Sequence, residues 1–266
     1  MHTALTIAGS DSSGGAGIQG DLKTFAAHGV YGVCAVTAVT AQNTMGVSAS
    51  AALASDLVAA QIEAVAADFG IDAVKTGMLA DAAIVEAVAA AIDELELPNL
   101  VVDPVIAASG GTRLLDADGV QAMMALLFPR ARVVTPNIPE AEALGGRTIG
   151  SMADLREAAR RIHAMGPTAV IITGGHAWDR APRADIVDLL FDGRTFAELR
   201  VQRVAGGNLH GTGCAFASSV AAHLARGVSL HDAAARAQQY VARALAARLS
   251  VARGGALDHF APTGPP

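Results

Sequence analysis

The sequence predicts an α/β domain: a mostly parallel sheet with helices on both faces and an antiparallel hairpin at one edge. Three observations carry this. Apolar runs of strand length alternate with helical stretches along nearly the whole chain. Hydrophobic residues make up 52% of the 266 residues but aromatic residues only 4%. Such a balance, rich in Ala, Val and Gly, suits helices packed closely on a buried parallel sheet. Late in the chain, Asp192-Gly193 separates Asp185–Phe191 from Thr195–Val204, a strong hairpin signal.

In order, the expected strands are Ala4–Ala8, Val33–Thr40, Ala73–Lys75, Leu100–Val102, Val133–Thr135 and Ala169–Ile172. Helical patterns fall at Ile18–His28, Leu57–Asp68, Ala82–Leu95, Gly119–Leu127, Ala153–Met165, Thr212–Arg226 and Leu230–Leu249. No repeat and no long linker divides the chain, so residues 1–266 are read as one domain, with 262–266 expected as a disordered tail.

Composition narrows the function classes. The net charge is −6 and no basic run occurs, which argues against nucleic-acid binding. Thr24–Ser55 lacks Asp, Glu, Lys and Arg, but its glycines, serines, Gln42 and Asn43 argue against a membrane span. No signal peptide is expected before the first strand, and Cys34 and Cys214 lie far apart in sequence. A reducing cytoplasmic interior is the expected compartment. Of the 19 Lys and Arg residues only Lys23 and Lys75 are lysines.

In parallel α/β sheets, ligands bind beyond the carboxyl ends of the strands. Polar or glycine-rich clusters recur there: Gly9–Asp21, Gln42-Asn43-Thr44, Thr76-Gly77-Met78, Asp103, Asn137–Glu140 and Thr173-Gly174-Gly175-His176. The most informative stretch is Asn208-Leu209-His210-Gly211-Thr212-Gly213-Cys214, which opens an alanine-rich helix. Two glycines around a hydroxyl at a helix start let backbone N–H groups converge on an anion, most naturally a phosphate. Cys214, one turn in, reads either as a thiol whose pKa the helix dipole lowers or as a plain buried cysteine behind a glycine turn.

Other motifs are weaker. Gly15-Ala16-Gly17-Ile18-Gln19-Gly20 matches the dinucleotide fingerprint in form, but no acidic residue follows near Ala35–Ala41 to hold a ribose. No P-loop occurs. Asp21 reads either as a dipole-compensating carboxylate or as an acceptor for a substrate hydroxyl. Asp103, ending a buried strand, needs a partner or a metal. Asn137 and Glu140 read as a helix cap or, with Asp103, as a water-mediated Mg²⁺ site. Met78 reads as core or as an adaptable wall for a planar ring. Ser109-Gly110-Gly111-Thr112 reads as a hinged lid or a plain turn. His176 and His210 lack metal-ligand spacing.

Together these residues resemble the ribokinase superfamily, and within it the hydroxymethylpyrimidine/phosphomethylpyrimidine kinases of thiamine biosynthesis. The resemblance runs from about Ala4 to Phe260. It rests on Ala8–Gln19, Asp21–Phe25, Ala41–Thr44, Lys75–Met78, Asp103–Val105, Thr135–Ala141, Gly174–His176 and His210–Cys214. It implies a ribokinase-like three-layer fold. It also implies ATP- and Mg²⁺-dependent phosphorylation of an aminopyrimidine alcohol and then of its monophosphate. By resemblance, Gly9, Asp21, Gln42 and Met78 surround the aminopyrimidine. Asn137, Thr173, Gly175, Gly211 and Gly213 line the nucleotide, Glu140 and Asp103 serve the metal, and Gly211, Thr212, Gly213 and Cys214 form the catalytic anion hole with its cysteine. A homodimer is implied by the family alone. One position departs from the pattern: the lysine often found before Gly-Gly-His is here Thr173. Pyridoxal kinase activity is the nearest competing reading, and a catalytically weak ATP- or vitamin-binding protein is the competitor from another class.

Overall fold

The computed structural model describes residues 1–108, 111–174, 185–204 and 209–261. Nine strands form one sheet: β1 (Thr3–Asp11), β2 (Tyr31–Asn43), β3 (Gly46–Ala52), β4 (Ala73–Thr76), β5 (Leu100–Val102), β6 (Val133–Val134), β7 (Val170–Ile172), β8 (Ile186–Phe191) and β9 (Phe196–Val201). Their order is β3-β2-β1-β4-β5-β6-β7-β8-β9. The six strands from β2 to β7 in that order are parallel, while β3 and the β8–β9 hairpin run antiparallel at the two edges. The hairpin at one edge was expected from Asp192-Gly193. The β3 edge was not, because Gly46–Ala52 has the small polar composition of a loop.

Alternation along each strand builds two cores. Leu5, Ile7, Leu100, Val102, Val170 and Ile172 face one side of the sheet. There they meet α2 (Ser55–Asp68), α3 (Ala82–Glu94), α4 (Ala117–Ala122), α5 (Ile138–Gly145) and α6 (Met152–His163). Ala4, Ala73, Val101 and Ile171 face the other side, against α1 (Gly17–Ala27), α7 (Thr212–Ala225) and α8 (Leu230–Ala246). Successive residues pointing to opposite faces, both buried, explain why the strands read as unbroken apolar runs. Helix α7 is buried from Ala215 to Ala225, and its alanines let it lie close over β1, β4 and β5.

Side-chain caps explain several helix starts. Asp81, Asp116, Ser151 and Ser229 each accept a backbone N–H at the head of α3, α4, α6 and α8. Asn137 and Glu140 form a reciprocal capping box on α5. The expected helix over Gly119–Leu127 instead starts at Ala117 and widens into a π-helical turn over Met123–Leu127. Pro129 cannot donate to the carbonyl four residues back, and there the segment tightens into a 3₁₀ turn over Phe128–Arg130. Among the described residues no helix is long and apolar enough to cross a membrane. The tail at 262–266 lies outside the described residues.

Candidate active site

A cavity opens beyond the carboxyl ends of β1, β4, β5 and β7 and the amino ends of α5 and α7. Gly9, Gln42, Met78, Asp103, Asn137, Glu140, Thr173 and Gly211–Cys214 all line it. Residues spread over 200 positions of sequence thus meet because parallel strands end on one side of a sheet.

Helix α7 enters the cavity uncapped. Its N-cap, Gly211, has φ 92°, and among the described residues no side chain accepts from the first turn. A Cβ at Gly211 would also collide with the Gly15 carbonyl. Only glycine satisfies both demands. The free N–H groups of the first turn therefore face the cavity, as an anion site requires. Asn208, at the head of this motif, lies outside the described residues, as do Gly175 and His176.

Beneath the cavity lies a buried charge cluster. The Lys75 ammonium donates to Asp21 Oδ2 at 2.9 Å and lies 3.8 Å from Asp103 Oδ2. Burial pushes Lys75 down, but Asp21, Cys214 and Asp103 outweigh it and hold the ammonium charged. Sequence reasoning assigned Lys75 no role, because a lysine inside an apolar strand carries no mark of the two carboxylates that fold around it.

Asp21 requires a correction. It is fully buried and does not line the cavity. Its oxygens accept from Thr6 Oγ1 at 2.6 Å, Ser218 Oγ at 2.6 Å and Lys75. With its lone pairs so engaged, Asp21 holds Lys75 in place and stands apart from the cavity lining in this structure.

Asp103 and Glu140 behave as a pair. Burial pushes Asp103 up to about 6 against the pull of Lys75. Burial, reinforced by Asp103, pushes Glu140 up to about 8. Asp103 Oδ2 is buried without a hydrogen-bond partner among the described residues. Glu140 Oε2 accepts from Asn137 N at 3.0 Å, so the capping and cavity-lining readings both describe it. An orphaned carboxylate oxygen beside a second carboxylate short of positive charge fits a divalent cation. Among the described residues no cluster of three or more protein ligands exists. The ion's remaining ligands would be water and phosphate, which is the habit of Mg²⁺.

Cys214 requires a second correction. The helix start was expected to lower its pKa. Burial instead raises the thiol to about 12; Lys75 pulls it down, while Asp103 and Asp21 push it up. Desolvation at the site outweighs the dipole.

Sequence reasoning also missed Asp11, His210 and Asp188. Asp11, at the end of β1, accepts from Ser13 N, Gly15 N, Ala16 N and His210 Nε2. It thereby ties the glycine loop to the anion loop. The string Asp11-Ser12-Ser13-Gly14-Gly15 carries the signal of an aspartate turn. Asp188 on β8 accepts from Gly174 N at 2.7 Å, fixing the backbone next to Thr173. Burial pushes its carboxyl up to about 6. Around the expected lid, Ala108 N donates to Thr112 O at 2.8 Å, while Ser109 and Gly110 lie outside the described residues.

Known proteins place this arrangement. The family model for phosphomethylpyrimidine kinase matches residues 11–257. The hydroxymethylpyrimidine/phosphomethylpyrimidine kinase of Bacillus subtilis is 46% identical over 262 residues, covering 98% of this chain and 96% of that protein. The thiamine biosynthesis bifunctional protein ThiED of Geobacter sulfurreducens is 46% identical over 97% of this chain, which spans only 52% of that protein's length. Among solved structures, a Bacillus subtilis pyridoxal kinase bound to ADP superposes with a TM-score of 0.89 at 38% identity, covering 98% of both chains. A phosphomethylpyrimidine kinase from Clostridium difficile superposes at 0.79 and 37% identity, covering 91% of this chain and 98% of that one. The ribokinase-like fold, the cavity at its strand ends and identity along nearly the full length converge: the chain belongs to the phosphomethylpyrimidine kinase family.

Proposed function

We propose that this kinase transfers the γ-phosphoryl group of ATP to 4-amino-5-hydroxymethyl-2-methylpyrimidine, and then phosphorylates the monophosphate to the diphosphate. The observation that carries the reading is one cavity with two chemistries. Gly9, Gln42 and Met78 give it a wall for a flat ring, and the open head of α7 gives it an anion site. A Cβ on Gly9 would approach Met78 Sδ to 3.0 Å, so glycine keeps that wall clear for a planar ligand.

The substrate hydroxyl would lie between this wall and the anion loop. Phosphoryl transfer passes through a loose transition state, so positioning and charge stabilisation matter more than a strong base. The N–H groups of Gly211–Cys214 would receive the charge growing on the phosphoryl oxygens. Asp103 and Glu140 would hold Mg²⁺ through water; when bound, the ion neutralises phosphate charge. Asn137 and Thr173 would flank the path of the phosphates. Cys214 is held as the thiol at rest and cannot itself take the hydroxyl proton; it would hydrogen-bond and orient the reacting oxygen, while the hydroxyl proton would pass to a phosphoryl oxygen as the O–P bond forms. The base of ATP would rest on the apolar wall of Ile186, Val201, Val204, Val241 and Leu245. The enzyme would act in the cytoplasm. A homodimer would pair through the exposed edge strand β3, whose outer backbone groups have no neighbouring strand among the described residues.

The likeness to pyridoxal kinases favours a second reading, pyridoxal phosphorylation in the same cavity. Turnover with ATP and Mg²⁺ on each alcohol separates the two, and absence of turnover on both would leave a binding protein.

A further inference from the structure

His210 Nε2 lies 2.9 Å from Asp11 Oδ2 and 3.0 Å from the Gln42 side-chain nitrogen. One ring nitrogen carries either a proton or a lone pair, so it cannot donate to the carboxylate and also accept from an amide N–H. Asp11 decides between them. Burial alone would raise its carboxyl, but His210, Ser13 and Ala16 hold it well below the usual carboxylate range. It is an anion and only accepts, so Nε2 bears the proton.

A second conflict sits on the other side of Gln42. Its Oε1 stands 3.0 Å from Thr40 Oγ1, yet the single proton of Thr40 already goes to Ser10 O at 2.8 Å. Amide nitrogen and oxygen are near-identical in shape and are assigned only by their partners. A half-turn of the Gln42 amide relieves the donor–donor clash at His210. Oε1 then shares the His210 Nε2–H with Asp11 Oδ2 in a three-centre bond, and Nε2 donates to a lone pair of Thr40 Oγ1. The second Nε2–H has no partner among the described residues, and Gln42 lines the cavity.

We propose that Asp11 and His210 are positioning residues that lock the Gln42 amide with its NH₂ toward Thr40 and the cavity, so that Gln42 addresses its ligand as a hydrogen-bond donor to an aromatic ring nitrogen. The inference rests on the reading that the cavity takes an aminopyrimidine. An unprotonated ring nitrogen accepts such a bond; a ring C–H in its place leaves the N–H unpaired, and an amino group there sets donor against donor.

The first test needs no substrate. In protein carrying ¹⁵N-labelled histidine, the His210 resonances are assigned by their loss in His210→Gln. The account expects Nε2 to be protonated at neutral pH. A neutral Nδ1–H tautomer with bare Nε2 overturns it. The second test compares hydroxymethylpyrimidine with analogues in which each ring nitrogen in turn is replaced by C–H. Wild type should disfavour one analogue by about tenfold or more in KM, the worth of one neutral hydrogen bond. His210→Phe should shrink that ratio to within about threefold, and His210→Gln, which keeps a donor, should retain more of it. Undiminished discrimination in His210→Phe overturns the positioning role even with the expected tautomer. If wild type turns over no pyrimidine, the functional reading fails, and the tautomer measurement still decides the amide orientation.

Discussion

Lys75 and Asp21 form an ion pair at 2.9 Å with both side chains fully shielded from solvent. The pair joins β4 to α1 directly under the cavity and keeps a positive charge within 3.8 Å of Asp103. A buried pair of this kind is weak evidence of stability, but breaking one half of it strands a charge.

Lys75→Met should therefore destabilise the protein by about 3–5 kcal/mol, because Asp21 is left without its cation. Asp21→Asn in the same background should recover part of the loss. Urea denaturation of the single and double variants measures this. Additive losses would show that the two residues are not coupled.

Cys214→Ser should keep most of the turnover, since the thiol pushed up to about 12 is protonated at rest and a hydroxyl can fill its place. Cys214→Ala should lower kcat more, by about tenfold, as the reacting oxygen loses a hydrogen-bond partner. Steady-state kinetics on both variants decides it. A serine variant as impaired as the alanine variant would point to a thiolate as the working form.

Three buried histidines should make the fold acid-sensitive. Burial pushes His28 down to about 3, with His223, Arg226 and Arg243 adding to it, and burial pushes His223 and His259 to about 4. The unfolded chain binds protons at these sites near pH 6.5 while the folded chain resists until pH 3–4. Their contribution is therefore whole above pH 6.5 and lost as pH falls toward 4, by up to about 1.4 kcal/mol per pH unit for each histidine. Asp103, Glu140 and Asp188 act with the opposite sign, since burial raises them. The comparison is thus between wild type and His223→Gln. The variant should lose less stability than wild type between pH 6.5 and 4.5 in urea titrations, and parallel losses would contradict the account.

Much of the fold could be read from the chain because each parallel strand is a short apolar run and several helices announce their caps. Leu100–Val102 was placed to the residue, and Asp192-Gly193 marked its hairpin. Strand β3 was hidden because an exposed edge strand of Gly, Ser and Ala buries no apolar face and so leaves no periodicity. Local motifs named the anion loop and the Asn137–Glu140 cap. Lys75, Asp11 and His210 were illegible as site residues because the bonds that mark them, Lys75 to Asp21 and His210 to Asp11, span 54 and 199 positions. The same distance misled the reading of Asp21 and Cys214, where burial by remote elements outweighs the local helix end.

Thr173 should make the second phosphorylation the slower one. A monophosphate brings negative charge toward ATP, and among the described cavity-lining residues Lys75, already engaged by Asp21, is the one lysine or arginine. Two unit charges about 4 Å apart repel by up to about 4 kcal/mol at an effective dielectric near 20, before Mg²⁺ and the anion loop offset it. Monophosphate should accumulate transiently, and Thr173→Lys should speed the second step more than the first. Ion-exchange analysis of a time course checks this. Equal rates for both steps, unchanged by the substitution, would make the missing lysine irrelevant.

The most direct test of the central claim is the ratio of kcat/KM for hydroxymethylpyrimidine to that for pyridoxal, measured on the purified protein with ATP and Mg²⁺. The account predicts a ratio well above one. It also predicts that Gln42→Ala lowers the pyrimidine value by roughly 1–3 kcal/mol of transition-state binding, as a ring nitrogen loses its donor. A ratio below one would contradict it and assign the cavity to pyridoxal.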